Sequence, residues 1–137
     1  MNPMINMANA YKTQQIMTAA PEQLTLMLYN GAIRFVEESM TALEQKDFAK
    51  SHERNLRAQD IVREFMATLD MKIELSKNWL SLYDYIEYRL IQGNIKKDKT
   101  QLDEAKSMLT ELRDTWVEVM KKTRAERPVM MPQAMAR

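Results

Sequence analysis

Apolar residues recur along this chain at steps of three and four, the spacing of one helix face, and in four separate runs. The first run begins at Pro21, a favoured first helical residue, with Ala20 as N-cap and Gln23 placed to reach back to the Ala20 amide. It extends to about Lys46, some 38 Å at ~1.5 Å per residue. Leu24, Leu26, Leu28, Tyr29, Ala32, Ile33, Phe35, Val36, Met40 and Leu43 cover about half its circumference, wider than one seam needs. Asp47 can cap a second helix over 48–69, with a stripe of Ser51, Asn55, Ala58, Ile61, Val62, Phe65 and Leu69 and with Gln59 beside it. Residues 70–76 read as a connection ending in a possible Ser76 cap. The third helix, 77–93, carries Trp79, Leu82, Tyr83, Ile86 and Leu90, with Gly93 expected just past its end. A second apolar set, Leu80, Tyr88 and Ile91, projects from another side. Asp98 and Gln101 have capping-box spacing for a fourth helix. Its seam of Leu102, Ala105, Leu109, Leu112, Trp116, Val119 and Thr123 alternates steps of three and four, the a/d pattern of packed helices.

Four amphipathic helices joined by short links predict an all-α fold, an antiparallel four-helix bundle over residues 20–123. Before it, residues 1–19 form a short segment in which Met4, Met7 and Tyr11 fall at helical spacing. So short a helix is marginal in water and needs a surface to lie on. After it, residues 124–137 contain two Pro and no sustained pattern and are expected to form a flexible tail.

Composition removes most chemistry. With 137 residues there is room for one domain, and two Gly and four Pro are too few for a turn-rich β protein. The chain has no Cys, hence no disulfide or thiolate site, which suits a reducing compartment. Its single His52 has Ala49 three residues before it, so the Glu-x-x-His pairs of di-iron bundles are missing and no metal or cofactor is expected. Gly31 and Gly93 cannot build a phosphate loop; Gly31 lies within a helix and reads as a point of close helix approach. A net charge of +1 gives no case for nucleic acid, and the lysines at 96, 97 and 99 and at 121 and 122 read as solvated helix ends. No run approaches the ~20 apolar residues that span a bilayer, and the first residues lack the pattern of a secretory signal, so a cytoplasmic location is expected.

Two features go beyond a bundle's own needs. Among 13 Met, Met66 and Met120 suit core gaps, but Met1, Met4, Met7, Met17, Met130, Met131 and Met135 lie in the terminal segments, where thioethers suit adaptable contacts. The surplus apolar surface of helices one and three is open to three occupants: the N-terminal segment, a second copy of the chain in a structural homodimer, or an amphipathic partner. Polar groups bordering apolar ones mark Asn55, Gln59, Val62 and Tyr83 as candidate contact residues.

Residues 11–36, YKTQQIMTAAPEQLTLMLYNGAIRFV, resemble the opening of the FliS family of flagellin-specific export chaperones. Tyr11, Thr18, Pro21, Leu24, Met27, Leu28, Tyr29, Gly31, Ala32 and Ile33 match its pattern, while Ala20 and Asn30 stand where the family has Ser and Asp. Residues 67–71, 82–98 and 112–116 are similar as well. The resemblance implies a non-enzymatic bundle that binds the disordered C-terminal segment of flagellin, prevents early polymerisation and assists delivery to the type III export apparatus, with other flagellar export components as further possible partners. It also implies that residues 1–17, through Met4, Met7 and Tyr11, act as a lid when flagellin is absent.

Overall fold

The computed structural model describes residues 20–126 and consists there of four helices. They are α1 (Pro21–Glu44), α2 (Phe48–Thr68), α3 (Leu75–Lys96) and α4 (Lys99–Glu126). Each packs on two others, α1 and α3 both lying between α2 and α4. Links of a few residues make neighbours antiparallel. The ends agree: Trp116 of α4 reaches Glu22 at the start of α1, while Lys99 at the start of α4 pairs with Glu44 at the end of α1. The expected bundle is therefore present.

The helix boundaries follow local chemistry. Asp47 caps α2 by accepting a hydrogen bond from the Lys50 amide at 3.2 Å. The end of α1 is a Schellman turn, with the Lys46 amide donating to Leu43 O and the Asp47 amide to Ala42 O. Lys46 sits at the left-handed position (φ 61°) where Gly is usual. The end of α3 repeats this, and here the expectation for Gly93 is corrected. The helix runs on to Lys96, and Lys97 takes the left-handed backbone (φ 55°). Gly93 is helical and buried, and its carbonyl accepts from the Lys97 and Asp98 amides. A Cβ on Gly93 would lie 2.6 Å from Leu102 Cδ2 and 3.2 Å from the Asp98 carbonyl oxygen. Gly93 is thus the residue of close approach, letting α4 turn back directly over α3. Gly31 is not, because a Cβ there would meet Ile61 Cδ1 at an ordinary 3.6 Å.

Two other expectations shift. Helix α3 starts at Leu75, so Ser76 lies buried inside its first turn. At the start of α4, Asp98 accepts from the Thr100 amide, but Gln101 accepts from Arg89 instead of returning to Asp98. Only half of the capping box forms.

The core holds Tyr29, Ala32, Ile33, Val36 and Met40 of α1, Ala58, Val62 and Phe65 of α2, Tyr83, Ile86 and Leu90 of α3, and Leu102, Ala105 and Leu109 of α4. Leu82 does not join it and is 38% exposed. The buried stripe of α3 steps through Trp79, Tyr83, Ile86, Leu90 and Gly93, and Leu82 sits ~100° off that line. Near the α1–α2 turn, buried Ser39 and Ser51 each donate to the other's backbone carbonyl, at 2.8 and 2.9 Å. These small side chains bring the two helices together without leaving polar groups unpaired.

A paired substitution tests the close approach. Gly93→Ala should destabilise by about 1–3 kcal/mol through overpacking. Gly31→Ala should be neutral, or stabilising by up to ~1 kcal/mol through helix propensity. Denaturant titration of both variants would check this; equal effects would contradict it.

Candidate functional site

The seam of α4 is the most regular in the chain, yet it is not covered throughout. Leu102, Ala105 and Leu109 are buried, Leu112 and Trp116 are partly exposed, and Val119 is 45% exposed. The bundle opens here into a cleft of about 620 Å³. Its walls come from the start of α1 (Thr25, Tyr29), the end of α2 (Phe65, Leu69), the 70–74 link and the start of α3 (Ile73, Leu75, Trp79, Tyr83), and the last turns of α4 (Trp116, Val119). The size falls within the range of ligand and peptide sites, and the lining is apolar with few polar groups.

Aromatic rings make the floor. Tyr29 and Phe65 centroids are 4.6 Å apart, Phe65 and Tyr83 5.4 Å, and Tyr83 and Trp79 6.1 Å. The Tyr29 and Tyr83 hydroxyls bond to each other at 2.6 Å across the core. Burial pushes both hydroxyls above the ordinary tyrosine range, and for Tyr29 the bond to Tyr83 adds to the rise. For Tyr83 that bond acts in the opposite direction and offsets burial only in part. Trp116 donates its indole N–H to Glu22 O at 3.0 Å, which orients the ring between α4 and α1. The rim is oily: Ile73 and Leu75 are 55% and 57% exposed, and Met71 of the link before α3 is 46% exposed. A smaller depression of about 180 Å³ shares Trp116 and Val119 with the cleft and continues along Ala20, Met120 and Thr123.

The four candidate contact residues lie in the interior. Asn55 and Val62 are fully buried, and Gln59 and Tyr83 are 4% and 5% exposed. Asn55 donates to Leu90 O at 3.1 Å, Gln59 donates to Asn55 Oδ1 at 2.7 Å, and Arg63 donates to Gln59 Oε1 at 3.3 Å. That relay ties α2 to α3, so Asn55, Gln59 and Val62 reach a partner only if those helices part. Tyr83 alone among the four lines the cleft. Met4, Met7 and Tyr11 lie outside the described residues. Helix α4 extends past Thr123 to Glu126, so the first residues of the expected tail are helical.

The rim residues Ile73 and Leu75 fall in the stretch 70–76 that reads as a connection, outside any helical spacing, although Leu75 opens α3. The available signal was the alternation of Met71, Ile73 and Leu75 with the exposed Asp70, Lys72 and Glu74. His52 is exposed, its Nδ1 2.9 Å from Asn94 Nδ2. Among the described residues no three His, Cys, Asp or Glu side chains gather as metal ligands, and no helix is long and apolar enough to cross a membrane.

These residues build a helical bundle open at one end onto an aromatic floor. Residues 4–123 match the family model described as flagellar protein FliS. The chain is 38% identical over 122 residues to the flagellar secretion chaperone FliS of Bacillus subtilis (strain 168), covering 89% of this chain and 92% of that protein. It is 31% identical over 110 residues to the flagellar secretion chaperone FliS of Salmonella typhimurium (strain LT2), covering 78% and 82%. The protein belongs to the FliS family of flagellar secretion chaperones, which are not enzymes.

The hydroxyl pair carries a pH signature. Both groups hold their protons more tightly folded than unfolded, so stability is unaffected below the ordinary tyrosine pKa of ~10 and falls as pH rises past it. Replacing both with Phe should make that alkaline loss shallower. At neutral pH either single Tyr→Phe change should cost about 1–2 kcal/mol by stranding the other hydroxyl, and the double change should cost less than the sum. Denaturation midpoints between pH 7 and 11 read both effects; additive costs and an unchanged alkaline slope would refute the coupling.

Proposed function

We propose that this chain is a cytoplasmic export chaperone for flagellin: it binds the disordered C-terminal segment, prevents premature polymerisation and assists delivery to the flagellar type III export apparatus. The cleft carries this reading. It offers an aromatic floor and an exposed apolar rim at one end of the bundle. Family membership supplies the flagellar export setting.

The chemistry suits a client that must later be released. A disordered segment is ordered on binding at a cost of several kcal/mol, so a large apolar area has to compensate. Burying ~1,000 Å² of apolar surface contributes about 25 kcal/mol gross before that cost. Spread over many modest contacts, the same energy can be given up stepwise. Tyr83, Trp79, Ile73 and Val119 are the residues proposed to touch flagellin. Residues 1–17, with Met4, Met7 and Tyr11 turned inward, are proposed to cover the cleft in the free protein and to lower apparent affinity by the fraction of time they are closed.

Calorimetry and sizing chromatography with a peptide from a flagellin C-terminus should show a 1:1 complex. Ile73→Asp, at an exposed rim position, should weaken it roughly tenfold or more, the equivalent of ~1.4 kcal/mol, without lowering the melting temperature. No heat of binding, or a stable dimer indifferent to the peptide, would overturn the proposal.

A further inference from the structure

The second apolar set of α3 takes no part in the cleft. Tyr88 is 54% exposed and Ile91 partly so, and Ile95 on the same line is 69% exposed. Beside them on α2, Phe48 and Leu56 are 48% and 40% exposed. None of these five lines the cleft, and Phe48 and Ile95 stand at the opposite end of the bundle. We infer that this outer face of α2 and α3 is a second docking surface. It fits an amphipathic helix of a partner protein, with carboxylates at one end of that helix's apolar stripe.

Three contacts set the register of the two helices on this side. Lys97 Nζ lies 5.7 Å over the Phe48 ring, His52 Nδ1 is 2.9 Å from Asn94 Nδ2, and Arg63 pairs with Glu87. In that register Leu56, between His52 and Arg63, stands level with Ile91, and Phe48 stands within a turn of Ile95. Tyr88, Ile91 and Ile95 follow steps of three and four, so they form one stripe ~10 Å long on α3. Phe48 and Leu56 form a second row on the antiparallel neighbour. Two rows of oily side chains on paired helices are what the i, i+3 and i+7 anchors of a third helix pack between.

Charge selects the occupant. Around Phe48 and Ile95 stand Lys46, Lys50, Lys96 and Lys97, none of them in an ion pair among the described residues. The nearby carboxylates are engaged: Glu44 pairs with Lys99, Asp47 caps α2 and Asp98 caps α4. Helix dipoles do not account for the excess. Two helices end there and two begin, so their partial charges offset, and Lys50 lies in a first turn, where a cation is disfavoured. Farther along the stripe the sign changes, with the exposed Asp84 one turn before Tyr88. Anionic lipid laid on this face would be drawn to the lysines and repelled by Asp84, whereas a helix with its carboxylates at one end matches the gradient. A second copy of the chain fits less well, because these few side chains offer less than the ~800 Å² per subunit that a stable dimer buries.

The probe is a fluorescent designed helix with Leu at i, i+3 and i+7 and Glu in its first turn; its control carries Lys in place of Glu. With the full chain at low salt, anisotropy should show the Glu peptide binding about tenfold or more tightly than the Lys peptide. Lys96→Glu combined with Lys97→Glu should reverse that order. Ile95→Asp, at an exposed position, should weaken the Glu peptide about tenfold and leave binding of a flagellin C-terminal peptide unchanged. Ile73→Asp, at the cleft rim, should do the converse. Equal binding of the two helices, no binding of either, or loss through Ile73→Asp instead of Ile95→Asp would overturn the proposal. So would a dimer in light scattering that Ile95→Asp dissociates, which gives the face to a second copy. Tighter binding to vesicles of phosphatidylserine and phosphatidylcholine than to the Glu peptide gives it to lipid and likewise overturns the proposal. If the flagellin peptide binds nowhere, the reading of the cleft falls, and the designed helices still decide this one.

Discussion

Helices approach one another only as closely as the side chains between them permit, and in this bundle small residues meet at one end while aromatic rings gather at the other. At the end formed by the α1–α2 and α3–α4 turns the interface residues are small. Ser39 meets Ser51, and Gly93 leaves the space that Leu102 fills. At the other end Tyr29, Phe65, Trp79, Tyr83 and Trp116 stand between the helices. The apolar cleft lies at the aromatic end.

The open end is nevertheless ordered. Contacts between aromatic rings and the Tyr29–Tyr83 hydroxyl bond lock α1, α2 and α3 to one another beneath the cleft, and Trp116 is held to α1 by its indole N–H. On the proposed function, a partner would meet a prepared surface, and the ordering cost would fall on the partner rather than on the bundle. The Asn55–Gln59 relay serves the same rigidity farther along, where it fixes the α2–α3 contact in register.

Polar residues on an apolar stripe have two readings, and Asn55 and Gln59 show how the choice is made. Seen along one helix, they border a greasy surface and suggest a contact edge. In the bundle, the Leu90 carbonyl on the neighbouring helix gives Asn55 a partner, and Asn55 in turn gives one to Gln59, so both residues are buried and satisfied. The deciding group belongs to another helix, and periodicity in one element carries no information about it. Gly31 and Gly93 illustrate the same point: both are helical, and only the position of Leu102 shows which of them must lack a side chain.

The sequence by itself determined four helices, their order, most of their core faces and the family, because each is written in local spacing: three-and-four repeats, Pro21, the Asp47 cap and the 11–36 block. Tertiary structure alone decided where those faces stop being covered. Val119 belongs to a faultless heptad yet stands 45% exposed, on the wall of the cleft. Ile73 and Leu75 read as a link and become the rim of the cleft. Burial is a relation between elements distant in sequence, fixed by volumes that only the assembled bundle brings together.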